Sequence, residues 1–331
     1  MGLFKTAHIV NRADKISNFT VSTAEYGSAV MELLGTTRIS GNVIYYDDFT
    51  AHEHRETQRS GKGGGVKSTT ITYTYTAAVI MGLCEGPIKG IGRVWIDKEL
   101  YQYPSEKIGM TLFKGTDDQA PWPYVVGKHP EKALPYKGLA YMAGVIDLGN
   151  NASLPNFNFE VQGKLLDTGD GVDVNPADYI RYILDKVGLQ DVEIVGLENY
   201  RKYCRESDFL ISTPADYTSA KTARDIVNEI ASLTNAYMFW SNDRFKIVPR
   251  ADRPVGEWQP DKQIVYNLTA DDFLEQSNGA CVTYSRKDSS ELYNRFTVEF
   301  YNRENAYEKE SVSYEDSENI ADYGLRQAST T

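Results

Sequence analysis

The sequence is poor in the residue types from which active sites and metal centres are usually built. Its 331 residues include only four histidines and three cysteines. The cysteines, Cys84, Cys204 and Cys281, are far apart and without CxxC spacing, which argues against disulfides and metal binding. We predict three buried thiols in a reducing compartment, and neither a metal nor a cofactor.

Long apolar runs and clustered positive charge are also missing. No segment approaches the length of a membrane-spanning helix, and residues 1–12 are too short and polar for a secretory signal. The net charge of −11 argues against bound duplex nucleic acid, because phosphate binding needs clustered Lys and Arg. An acidic surface suits a wall past which DNA slides without sticking.

Tyrosine and glycine are abundant instead, with 23 and 26 residues. This bias favours strands, tight turns and amphipathic contact surfaces over helix bundles. Tyrosines can also stack on sugar rings, but here they are spread over the whole length. We therefore interpret them as core and subunit-interface residues.

The stretch 41–103 organises the rest of the chain. Residues 71–76 alternate between apolar or aromatic and polar side chains, the pattern of a strand with one buried face, and residues 77–83 are nearly all apolar, as in a strand covered on both faces. A strand is also predicted at 39–46. The polar, glycine-rich and basic segment 50–68 between them is longer than most connections. We predict a hairpin with an oversized, flexible arm.

Two motifs in the arm imitate functional sites. GKGGGVKS resembles a phosphate-cradling Walker loop, but Val66 stands where a glycine is required, and a β-branched run follows where a helix must begin. His52 and His54 lack the spacing of a zincin helix, and the sequence offers no further ligands nearby. Both motifs are interpreted as parts of a solvated loop.

Helical patterns begin after residue 169. Asn175 predicts a helix N-cap, and Pro176 stands at the first helical position. Two more helices and a hairpin of NAYMFW and RFKIVPR follow, the last helix being capped by Thr218 or Ser219. The apolar stripes of the three helices are Ala177, Ile180, Leu184 and Val187; Leu197, Tyr200 and Cys204; and Ala223, Ile226, Val227, Ile230 and Leu233.

Clustered carboxylates do not form a recognisable site. The acidic loop 167–173 is similar to a calcium loop but lacks the final glutamate, which favours a carboxylate-rich turn and cap over a calcium site. Asp47–Asp48, whose side chains should diverge on a strand, and Asp117–Asp118, on a loop, are adjacent pairs that we interpret as solvated charges. Since no nucleophile elbow, paired acid and base or metal set is spaced for catalysis, we predict that the chain is not an enzyme.

Strand patterns return from residue 258, in QIVYNL, ACVTYSR, RFTVEFYN and KESVSYED, with a short helix capped by Thr269. In residues 295–301 the side chains of Phe296, Val298 and Phe300 share one face.

Several segments together resemble the phage tail-tip or baseplate-hub family, which includes host-attachment proteins of lambda-like phages and hub proteins of gene transfer agents. The most specific are LCEGPIKGIGRVWIDKELY and NPADYIRYILDKVGL, and YGSAVMELLGTTRISGNVIYYDDF and IADYGLR also resemble the family. The similarity runs in order through most of the chain. Family members usually continue past this point, so the chain resembles an amino-terminal portion or a short member.

The resemblance implies a β-rich α+β fold of tail-tube-like β-barrel domains with an inserted α+β module, forming a ring. Residues 1–168 would form a barrel hub domain with the arm 50–68 and inserted loops, 169–257 the α+β module, and 258–331 a second β region. The arm would reach an adjacent subunit or tail protein through its tip, formed by Ser60, Lys62, Gly63, Gly64, Gly65 and Lys67.

The same resemblance implies a homotrimeric hub at the virion tail tip, made in the host cytoplasm. Expected partners are the distal tail protein, the tape-measure protein and tail fibres or receptor-binding proteins. DNA would pass only as transiting cargo, and contact with the host envelope would go through other domains or partners. Two alternatives stay open, a receptor- or glycan-binding adhesin and a tail-associated cell-wall hydrolase.

Overall fold

A computed structural model describes residues 8–17, 30–60, 66–166, 169–215, 222–261, 266–274, 284–286, 288 and 292–327. The chain divides into two compact units, Met1–Pro260 and Asp261–Thr331. Strands dominate and a few helices accompany them, which confirms the β-rich α+β class. Among the described residues, no helix is long and apolar enough to cross a membrane.

The larger unit contains fourteen strands and four α-helices in its described part. The strands are β1 (His8–Arg12), β2 (Glu32–Leu34), β3 (Thr36–Ser40), β4 (Asn42–Ser60), β5 (Val66–Glu85), β6 (Gly90–Ile96), β7 (Glu99–Gln102), β8 (Met110–Phe113), β9 (Leu139–Gly149), β10 (Phe157–Gln162), β11 (Ile194–Val195), β12 (Thr213–Ala215), β13 (Ala236–Ser241) and β14 (Arg244–Pro249). The helices are α1 (Pro123–Lys128), α2 (Pro176–Lys186), α3 (Leu197–Glu206) and α4 (Ala223–Leu233), and a 3-10 turn spans Pro130–Lys132.

Two sheets share the main hydrophobic core. In the first, β4 runs antiparallel along one edge of β5, β1 and β9 share the other edge, and β8 flanks β9. The second is antiparallel, in the order β3-β10-β6-β7. Side chains of both sheets, among them Val79, Met81, Phe159 and Val161, form one buried cluster. No sheet formed by the described residues closes on itself, so the barrels stay a prediction.

Strand β5 agrees with its sequence pattern. Ile71, Tyr73 and Tyr75 are buried, the threonines between them are exposed or half-buried, and the run 77–83 is buried on both faces. Nearby, Met110–Phe113 form strand β8, which pairs with β9, and the chain turns only after Phe113.

Helices α2, α3 and α4 pack with the small sheet β11-β14-β13 around a second cluster. The Asn175 side chain caps α2, as predicted, by accepting a hydrogen bond from the Ala177 amide at 3.0 Å. Val187 was wrongly placed on the buried face, because α2 ends at Lys186 and leaves Val187 53% exposed. Leu233, at the end of α4, is also exposed.

Helix α4 begins one turn later than its predicted cap. Thr222 and Asp225 form a capping box, in which the threonine hydroxyl accepts from the Asp225 amide and the carboxylate accepts from the Thr222 amide. The predicted caps, Thr218 and Ser219, lie outside the described residues.

The smaller unit contains β15 (Arg295–Asn302), β16 (Glu308–Glu315), α5 (Ser317–Tyr323) and a 3-10 turn, Ala270–Asp272. The Thr269 hydroxyl bonds Asp272 at the start of that turn, 3.0 Å away. β15 and β16, both predicted as strands, pair as an antiparallel hairpin, but Phe296, Val298 and Phe300 are 42–59% exposed. The predicted strands QIVYNL and ACVTYSR lie partly outside the described residues, and their described ends, 266–268 and 284–286, are not in strands. The domain boundaries at residues 168 and 257 stay predictions.

Candidate assembly surface

Strands β4 and β5 form one long antiparallel ribbon. Pairing runs from Asn42 opposite Gly82 to Ser60 opposite Val66. The predicted arm is therefore not a loop, because residues 50–60 continue β4 and only residues 61–65 separate the strands. The glycines and charges suggested a loop, whereas the β-branched and aromatic partners on β5 favour strand pairing along the arm.

The ribbon has one apolar face, which is covered. Tyr75 is 1% exposed, its ring stacks on Phe49 with centroids 5.3 Å apart, and its hydroxyl accepts a hydrogen bond from the Ile16 amide at 2.7 Å. Ile71 and Tyr73, on the same face, are also buried. The chain after β1 therefore supports the ribbon beyond Tyr75, where β9 stops pairing.

The opposite face is polar. The exposed imidazoles of His52 and His54 bond the hydroxyls of Thr76 and Thr74 at 2.9 and 2.8 Å. These contacts explain the HEH motif as a ladder of side chains across two strands, as on any polar sheet face.

The outer edge of β4 has no strand partner among the described residues, since β4 pairs only with β5. Its 19 residues span about 60 Å at roughly 3.3 Å per residue. Such an edge presents backbone N–H and C=O groups to which another strand can pair. Charged and histidine side chains along residues 52–56 are typical of an edge that resists unspecific pairing.

The six predicted tip residues are only partly described. Ser60 is the last residue of β4, and Lys67 lies in β5 opposite Arg59 and beside His8 of β1. Lys62, Gly63, Gly64 and Gly65 lie outside the described residues, so their part in assembly stays a prediction.

A bulge near the base of the ribbon brings Asp47 and Asp48 together. Pairing with β5 gains one extra residue between Asp47 and Thr50, and Asp48 has a φ of 53°. Nε2 of His129, just after α1, lies 3.1 Å from both carboxylate oxygens of Asp48 and 3.9 Å from Oδ2 of Asp47. Our expectation that these carboxylates diverge was wrong, because the bulge breaks the alternation of a regular strand.

Three other side chains donate hydrogen bonds to this pair. Lys132 Nζ bonds Asp47 Oδ2 at 2.6 Å, the Tyr124 hydroxyl bonds Asp48 Oδ2 at 2.9 Å, and the Tyr45 hydroxyl approaches Asp47 Oδ2 at 3.4 Å. The bond from Lys132 holds the pKa of Asp47 below its usual value. Burial and the neighbouring carboxylates raise the pKa of the Tyr45 hydroxyl.

A buried carboxylate joins the main β region to the helical module. Glu32 of β2 is 0% exposed and accepts hydrogen bonds from Lys164, from Tyr182 of α2 and, at 2.6 Å, from Lys186 of α2. Glu85 lies 3.7–3.9 Å from the same two ammonium groups. We call these five residues the Glu32 cluster. They fix α2 on the end of β5.

Other sequence-flagged groups have structural roles. Asp170 accepts hydrogen bonds from the amides of Val172 and Asp173, as expected of a turn, and Asp167 lies outside the described residues. Cys84 and Cys204 are buried as predicted, and burial raises the pKa of each thiol to about 12. Cys281 lies outside the described residues.

An apolar pocket of about 630 Å³ lies between the end of α2, helix α4 and the β13–β14 hairpin. Met238, Phe239 and Trp240 line it, with Arg224 and Asn228 among its few polar groups. The volume is in the range of ligand pockets. None of its lining residues is a nucleophile or a carboxylate.

Residues 222–330 match a family model described as "Putative phage tail protein". This part of the chain is therefore similar to a phage tail protein family. The match confirms the resemblance read from the sequence and, with it, the predicted location in a virion tail. It covers α4, the β13–β14 hairpin and the smaller unit, and leaves the ribbon outside.

The fold is shared with a chain of a solved structure titled "Virion of native gene transfer agent (GTA) particle". The TM-score is 0.61 at 18% sequence identity, and the alignment covers 99% of this chain and 71% of that chain. At this identity the likeness shows the fold alone. No curated protein matches the sequence.

Proposed function

We propose that the chain is a structural hub subunit of the tail tip or baseplate, and that three copies form a ring closing the tail tube. The unpaired outer edge of β4 carries this proposal. Heterologous pairing of such an edge with the next copy generates a closed ring when the rotation closes. Pairing around a ring also removes sheet edges that would otherwise aggregate.

The ring would contact the distal tail protein, anchor the tape-measure protein and tail fibres, and open for DNA ejection. The net charge of −11 supports a lumen through which DNA passes without binding. The fold shared with a gene transfer agent virion chain supports assembly with other virion proteins.

The test shortens the ribbon tip. Deleting Ser60–Lys67 should leave the chain soluble and folded, because the main core lies at the other end of the ribbon, but should impair ring and tail assembly. Light scattering after gel filtration reports the oligomer, and electron microscopy of complemented particles reports the tail. Asp243→Gly is the matched control, because it alters another hairpin tip whose residues Asn242 and Asp243 both have positive φ.

Normal rings and tails from the deletion would show that the tip is passive. A chain that stays monomeric with its tail partners and never enters virions would overturn the hub role itself.

The proposed role is not enzymatic. A clearing band in a zymogram of the purified chain would favour the hydrolase alternative. Binding of the isolated chain to host cells, in competition with phage adsorption, would favour the adhesin alternative. An isolated hub subunit should neither produce a clearing band nor bind host cells.

A further inference from the structure

We propose that Asp47, Asp48 and His129 bind a divalent first-row transition-metal ion, with Zn²⁺ as its type. Their ligand atoms lie within 4.8 Å of one another. The set joins an imidazole nitrogen to carboxylate oxygens. Such donors suit Zn²⁺ better than Ca²⁺ or Mg²⁺, which prefer oxygen alone.

The distances between His129 and Asp48 have the size that a shared ion imposes, and the distance between His129 and Asp47 is longer. Metal–ligand bonds of about 2.0–2.2 Å place neighbouring ligand atoms roughly 3–3.5 Å apart. Nε2 of His129 is 3.1 Å from both oxygens of Asp48 and 3.9 Å from Asp47 Oδ2. Asp47 has to move inward to share an ion with the other two ligands, and its side chain is 27% exposed and therefore has room to move.

The far side of the imidazole faces a carboxylate. Glu131 Oε1 lies 4.0 Å from Nδ1 of His129. Histidines that bind metals usually donate their other N–H to such a group, which fixes the tautomer. With the proton on Nδ1, the lone pair of Nε2 points at the oxygens of Asp48. Three lone-pair donors then lie within 4.8 Å of one another, and a cation between them would stabilise the arrangement.

The local charge also favours a cation. Asp47, Asp48 and Glu131 carry three negative charges, and Lys132, which is 50% exposed, bonds Asp47. The ion would displace this ammonium, whose long stem lets it swing into water. The Tyr124 hydroxyl would keep Asp48 oriented, as outer partners do at metal sites.

A bound ion would cross-link the β4 bulge to the segment after α1, since Asp48 and His129 are 81 positions apart. It would therefore fix the base of the ribbon. The site stands independently of the hub role, because its residues lie away from the tip and the ligand is a small ion.

The test is isothermal titration of the purified full chain with ZnCl₂. The wild-type chain should bind one ion, and Asp48→Asn and His129→Gln should each weaken binding at least tenfold. Lys132→Met should strengthen binding, because it removes the competing cation. Asp117→Asn is the matched control, since the Asp117–Asp118 pair is adjacent but has no histidine beside it in the described structure, and it should leave the affinity unchanged.

No heat at millimolar Zn²⁺, or equal affinity in His129→Gln, would overturn the site. If Mg²⁺ bound as tightly as Zn²⁺, the assignment of His129 as a nitrogen ligand would be wrong, because Mg²⁺ prefers oxygen ligands. Circular dichroism checks the fold of each variant. If a variant does not fold, Co²⁺ absorption of the wild-type chain decides, because intensified visible bands support mixed nitrogen and oxygen ligands, and an unchanged aqueous spectrum refutes them.

Discussion

Replacing Glu32 by glutamine should measurably destabilise the larger unit. Glu32 is the fully buried member of the Glu32 cluster and the carboxylate on which Lys164, Lys186 and Tyr182 converge. Glutamine keeps the shape but removes the charge, and its NH₂ group presents a donor to ammonium groups that are themselves donors.

The magnitude follows from the exposure of the partners. Breaking a fully buried ion pair costs about 3–5 kcal/mol, mostly through the charge left uncompensated. Here the lysines are 24% and 37% exposed, and Glu85 stands within 4 Å of both, so water and a second carboxylate recover part of the loss. We expect about 2–3 kcal/mol, which corresponds to a drop of about 5–10 °C in Tm for a unit of this size.

Thermal unfolding of the full chain, followed by circular dichroism, measures the effect. Glu85→Gln is the matched control. Its side chain is 42% exposed, and an exposed pair contributes at most about 1 kcal/mol. If Glu32→Gln had the same Tm as the wild-type chain, or if Glu32→Gln and Glu85→Gln lowered the Tm equally, Glu32 would not be the residue that holds the cluster together.

Three further predictions concern single side chains. Asn175→Ala should cost about 1–2 kcal/mol in urea unfolding, because it removes both the cap of α2 and a bond to the Arg201 carbonyl. Tyr75→Phe should cost about 1 kcal/mol in the same assay, because the Ile16 amide loses its acceptor. Asp47 has a lowered folded pKa, so its stabilising contribution is present above its unfolded pKa and lost as the pH falls below about 4. Asp47→Asn should therefore reduce the difference in urea midpoint between pH 7 and pH 3, and an unchanged difference would contradict the lowered pKa.

The periodicity of apolar residues correctly predicted the strands and helices in which buried and exposed positions alternate regularly. The alternation in residues 71–76 and the Asn175–Pro176 helix start were correct, because each depends on neighbours close in sequence. The ribbon beyond residue 50 was missed, because glycines and charges indicate a loop when the partner strand is not considered. Whether residues 50–60 form a loop or a strand depends on their pairing partner β5, which lies on the other side of the hairpin.

The two carboxylate clusters could not be predicted, for a different reason. Asp47 and Asp48 converge only because one residue is added to β4 relative to β5, and His129 arrives from 81 positions away. Glu32 lies in a strand of three residues, too short to show a periodic pattern, and its lysines come from the segment after β10 and from the end of α2. No local pattern marks such residues. The only sequence feature that pointed to either cluster was the adjacent pair Asp47–Asp48 beside a predicted strand.

The ribbon also decides what kind of contact would hold the proposed ring. Its apolar face is already covered, so a neighbouring copy would find the outer edge of β4 and the charged side chains of residues 53–56. Exposed charge pairs are screened within about 8–10 Å at physiological salt. Raising NaCl into the molar range should therefore shift rings toward monomers in analytical ultracentrifugation. Rings that resist salt would instead be held by backbone pairing along β4 or by apolar contacts, for which Phe296, Val298 and Phe300 on β15 are among the exposed side chains. Dissociation by Val298→Glu, with no effect of shortening the ribbon, would indicate the apolar contacts.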